Sequence, residues 1–105
     1  MLSIAISLML ASQSEMGPAQ KRWWDCAESV TRKLAPTRIS AGAVADNAIS
    51  QCRGYERAYS EAIRRDASIV PLAPSAIEEM VAKMRADIRS TMKTFATNLR
   101  SGTAK

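Results

Sequence analysis

Two cysteines, Cys26 and Cys52, stand at equal distances from a proline-containing break at about residues 35–40. Folding the chain back at that break brings the two thiols level on neighbouring helices. A disulfide there closes a loop of about 27 residues, worth roughly 3.5 kcal/mol in the chain-entropy account. In a domain of this size that is a large share of net stability. The spacing is not the C-x-x-C of a thioredoxin-type redox pair. Such a bond needs an oxidising compartment; in the cytosol the pair would instead be two buried thiols.

The start of the chain bears on that choice. Residues 1–11 read MLSIAISLMLA, an apolar run of signal-peptide length and too short to span a bilayer. Small residues come next, and two cleavage points fit a small-x-small rule. Cleavage after Ser14 puts Ser12 at the −3 position, and cleavage after Ala19 puts Gly17 there. No Lys or Arg precedes the run, unlike an ordinary signal. The plainer alternative is an apolar lead-in to the first helix. Gly17-Pro18 favours the signal, because it breaks the run from the rest of the chain. No cysteine lies close enough behind it for a lipoprotein anchor. The resulting division is a signal segment at 1–14, ending as late as 19, a single helical domain at 18–100 and a frayed tail at 101–105.

The 105 residues are enough for one small domain. Ala is abundant, and Val, Ile and Thr are scattered, which favours helices over strands. A first helix from about Pro18 to Ala35 carries Trp23, Ala27, Val30 and Leu34 at helical spacing, with Pro36 ending it. A second from about Ser40, its N-cap, to Ala67 carries Ala41, Ala45, Ala48, Ile49, Cys52, Tyr55, Tyr59 and Ile63 as one stripe. Gly54 weakens it locally by roughly 1 kcal/mol. Residues 68–74 (SIVPLAP) form an extended connector. PxxP also suits proline-recognition domains, but a helix–helix link is the simpler reading. The third helix opens on Ser75 and Glu78 as a capping box. Ile77, Met80, Val81, Met84, Ile88, Met92, Phe95 and Leu99 then hold an apolar stripe until Gly102 stops it. The fold expected is all-α, a small three-helix antiparallel bundle whose first two helices make an α-hairpin stapled by one disulfide.

The chain has no histidine, which removes the commonest general base and metal ligand. Two cysteines without histidine do not make a four-ligand zinc site. No P-loop, GxSxG, GxGxxG or EF-hand loop is present. The expectation is therefore a non-enzymatic protein with no cofactor, metal or small-molecule substrate.

Two features bear on binding. The net charge of +5 lies entirely in residues 83–105, where Lys83, Arg85, Arg89, Lys93, Arg100 and Lys105 face Asp87 alone. Arg85, Arg89, Lys93 and Arg100 cluster on one flank of the third helix. Read plainly, this is a solvated face complementing the helix dipole. Read functionally, it docks on anionic membrane or nucleic acid; no aromatic residues interleave to make a single-strand platform. The second feature is Trp24, about 100° round the helix from Trp23. It either caps the bundle flank or stands exposed as an anchor for a partner or membrane interface.

The pattern Trp23…Cys26-Ala27…Leu34, then Ile39-Ser40…Val44-Ala45-Asp46-Asn47-Ala48-Ile49…Cys52…Glu56, resembles small exported helical proteins of unknown function from Gram-negative bacteria. The likeness covers residues 23–60. It implies a stapled α-hairpin and a periplasmic or secreted home, and it carries over no activity or catalytic residue. Two roles are the expectations. One is a protein-binding or structural component of the envelope, through a protein partner or self-association. The other is a peripheral binder of anionic membrane. Export disfavours nucleic acid.

Overall fold

Among the described residues of the computed structural model, 16–66 and 72–102, all regular structure is helical. The described residues form four helices: α1 (Met16–Leu34), α2 (Ala41–Gln51), α3 (Arg53–Asp66) and α4 (Pro74–Ser101). Residues 1–14 of the signal segment, most of the 68–74 connector and the tail from 103 onward lie outside the described residues. The later cleavage point does not. A cut after Ala19 would remove the first turn of α1, including Ala19 itself, which is buried.

The three-helix count needs correction, because the second leg is two helices. Cys52 leaves helical dihedrals (φ −104°, ψ 21°) and separates α2 from α3. Its carbonyl accepts from both Tyr55 N (3.1 Å) and Glu56 N (3.2 Å), so α3 restarts at once. The disulfide anchors this residue to α1, and Gly54, just beyond it, lowers the local cost of leaving the helix. The legs still alternate in direction. Cys26 meets Cys52 and Trp23 meets Tyr59 (ring centroids 5.7 Å apart), so α1 is antiparallel to the bent leg. Arg85 meets Glu56 and Arg89 meets Asp46, so α4 is antiparallel to it too. Trp24 on Met84 and Arg32 over Phe95 set α4 parallel to α1.

The ends of the helices are set by local chemistry. Ser40 caps α2, its Oγ accepting from Ala43 N at 3.1 Å. Gly102 closes α4 in the left-handed region (φ 77°), where its N–H reaches the carbonyls of Asn98 and Leu99. The capping box at Ser75 does not form. The N-cap is Ala73, without a side-chain hydrogen bond, and Pro74 takes the first helical turn. Proline is preset for that position and lacks only a donor that would be unpaired there anyway. The second proline of the PxxP sequence is thus helical, not extended.

The core sits along one seam. Trp23, Ala27 and Val30 of α1, Ala45 and Ala48 of α2, Tyr59, Ala62 and Ile63 of α3, and Ile77, Val81, Ile88 and Met92 of α4 are buried together. Alanines on α2 let α1 and α4 approach closely. Within α1 the buried hydroxyl of Thr31 donates to the Ala27 carbonyl (2.8 Å). The Trp23 indole N–H is buried with no partner among the described residues, an arrangement that costs roughly 1–3 kcal/mol and that ring burial offsets.

Candidate binding surface

Cys26 and Cys52 are joined, with Cα atoms 6.0 Å apart. Cys52 is fully buried and Cys26 half-buried, so one edge of the bond reaches the surface. Among the described residues no cluster of three or more His, Cys, Asp or Glu is placed to hold a metal ion.

The basic flank of α4 is engaged within the fold. Arg85 grips Glu56 with both arms of its guanidinium, Nε to Oε1 at 2.7 Å and Nη2 to Oε2 at 3.1 Å. That hydrogen bonding holds the Arg85 guanidinium above its ordinary value. Arg89 Nε donates to Asp46 Oδ1 at 2.7 Å, which holds the Asp46 carboxyl below the usual carboxylate range. Arg100 reaches the turn between α1 and α2. Its Nε donates to the Ala35 carbonyl (2.8 Å), and its Nη2 to those of Thr37 (3.2 Å) and Ile39. Lys93 is exposed and has no acidic partner among the described residues. Charge counted along the sequence overstates this flank, since the acids that answer it lie on α2 and α3.

Trp24 is half-buried, and its indole N–H donates to Met84 Sδ at 3.3 Å. The contact seats the ring against α4, on the flank of the bundle. Near the other end, the Arg32 guanidinium lies over Phe95, 4.9 Å from the ring centroid.

Tyr55 is the aromatic that sequence reasoning misplaced. Its helical spacing puts it on the core stripe, yet it is 43% exposed. The stripe assumes an unbroken helix, and the break at Cys52 turns Tyr55 outward while Tyr59 and Ile63 stay inside. Gly54 beside Cys52 is the signal that could have warned of it. Tyr55 lines a groove of about 510 Å³ over the disulfide, with Gln51 on its own side and Arg22, Cys26, Ser29 and Lys33 on α1. Asp25, also in the groove, is held by Lys21 at 2.7 Å, and Glu28 by Arg32 at 3.0 Å. Arg22 and Lys33 are left without a carboxylate partner among the described residues.

No described helix is long and apolar enough to cross a membrane. Comparison with protein-family models, curated proteins and solved structures finds no match to this chain.

Proposed function

We propose that this chain is a non-enzymatic, exported helical protein of the envelope that works by binding another protein. The observation that carries the reading is Tyr55, a large aromatic held out of the core beside the disulfide, in a groove where neutral donors converge with cations that have no carboxylate partner among the described residues. Exposed aromatics on a rigid support are the usual anchors of protein contacts. The stapled cysteines support a periplasmic or secreted home, as does the resemblance to small exported helical proteins. The competing reading is peripheral docking on anionic membrane through Arg85, Arg89, Lys93 and Arg100. It asks three of those cations to give up Glu56, Asp46 and the turn carbonyls, and leaves Lys93 alone ready to make contact.

Signal cleavage belongs after Ser14, because α1 then stays whole. Amino-terminal sequencing of envelope material should begin at Glu15; a start at Gln20, or an intact Met1, would contradict this. Binding is tested by placing a photo-crosslinking residue at position 55 in living cells, with position 83 as an exposed control. A discrete protein adduct at 55 and none at 83 is the expected outcome. Absence of any adduct, together with co-sedimentation on phosphatidylglycerol vesicles that Lys93→Gln abolishes, would favour the membrane reading.

A further inference from the structure

Arg22, Cys26, Ser29 and Lys33 succeed one another at steps of four, three and four residues. They therefore make one line along α1, about three turns or roughly 16 Å from end to end. The line is cationic at both ends and neutral between. Gln51 and Tyr55 form the opposite wall, with the half-buried Cys26 and the buried Val30 beneath. The acids of α1 do not neutralise it, because Asp25 and Glu28 are each paired one turn along their own helix.

We infer that this groove takes an acidic amphipathic helix of a partner protein. Two carboxylates eleven residues apart on that helix would meet Arg22 and Lys33, and an apolar side chain between them would pack on Tyr55. Eleven residues make just over three turns, so such carboxylates share a face at the same separation as the two cations. A helix laid between two helices is an established mode of recognition. The shape argues for a protein over a lipid surface: the neutral groups lie between walls, where a flat headgroup plane would touch only the rims. The inference rests on the protein-binding reading above and specifies its partner.

The test pans a phage-displayed library of random 15-residue peptides against the oxidised protein, then measures selected peptides in solution. The expected pool is enriched in Asp and Glu at spacings of about eleven. Its members should lose at least tenfold in affinity for R22E/K33E and several-fold for Y55A, with no change for R85Q. Melting curves of the variants confirm that they fold; K33E alone serves if the double variant does not. Selected peptides that lack acids, or that bind R22E/K33E and Y55A as well as the parent, would overturn the groove inference and leave the protein-binding reading standing. A library yielding no binder, while phosphatidylglycerol vesicles sediment the protein, would overturn both.

Discussion

Arg85 and Arg89 do different work from what their spacing suggests. On a helical wheel they are a cationic flank; in space each is a clamp from α4 to the bent leg. Arg85 is the stronger, being bidentate to a Glu56 side chain that is only 17% exposed. From spacing alone, replacing Arg85, Arg89 and Lys93 together by Gln reads as nearly neutral. With the clamps known, the triple variant should lose about 1–2 kcal/mol, mostly through the Glu56 carboxylate left unpaired. Thermal melts should show a drop of roughly 5–10 °C, and Lys93→Gln alone should show none. Equal melting of triple variant and parent would mean the clamps contribute nothing. Asp46 adds a pH dependence. Its folded value lies below its unfolded one, so the Arg89 pair contributes fully above about pH 4 and is lost as pH falls through the depressed value. Asp46→Asn should therefore flatten part of the acid decline in melting temperature. An unchanged acid slope would count against the pair. Neither clamp was legible beforehand, because a partner 29 or 43 residues away leaves no trace in local spacing.

The elements were legible where chemistry is local and obscured where it depends on the rest of the molecule. Ser40 and Gly102 cap as their side-chain chemistry requires, and the α4 stripe from Ile77 to Met92 is core. Ser75 lost the cap to Ala73, two residues earlier, because Pro74 starts the helix first, a competition between two valid start signals. The bend at Cys52 leaves little trace because its neighbours keep helical spacing on both sides; Gly54 is the one local hint, and the tie to α1 holds the break in place. Gly54 tests how far that bend depends on glycine. A Cβ built at Gly54 meets nothing within 4 Å, and its φ is not positive. Gly54→Ala should therefore stabilise by roughly 0.5–1 kcal/mol through helix propensity alone. A fall in melting temperature would instead show that the bend needs glycine. On α4, Ile88 is fully buried while Phe95 is only partly so and lies under Arg32. Ile88→Ala should cost roughly 2–5 kcal/mol and Phe95→Ala less. Indifference to both changes would mean that α4 is a detachable helix and not part of the core.

For the whole molecule, stability and the proposed binding groove meet at the disulfide. It joins α1 to the point where the second leg breaks, so one bond fixes three helices at once. Its removal has two effects. The unfolded chain regains the loop entropy, roughly 3.5 kcal/mol, and Cys52 is freed to let α3 pivot away from α1. The pivot should be selective. α3 holds on by Tyr59, Ala62 and Ile63 and by the one clamp from Arg85 to Glu56, whereas α4 has a buried face from Ile77 to Ala96 and is also tied to α2 through Arg89 and to the 35–39 turn through Arg100. Replacing Cys26 and Cys52 with Ser should thus lower the melting temperature by roughly 15 °C or more. Amide exchange should rise first in residues 53–66 and last in the middle of α4. The groove would lose its shape in the same step, because Tyr55 rides on α3 and the cations on α1. A melting temperature lowered by less than about 5 °C would show that the helices hold without the staple. Uniform exchange across all four helices would show that the break is not where the molecule opens.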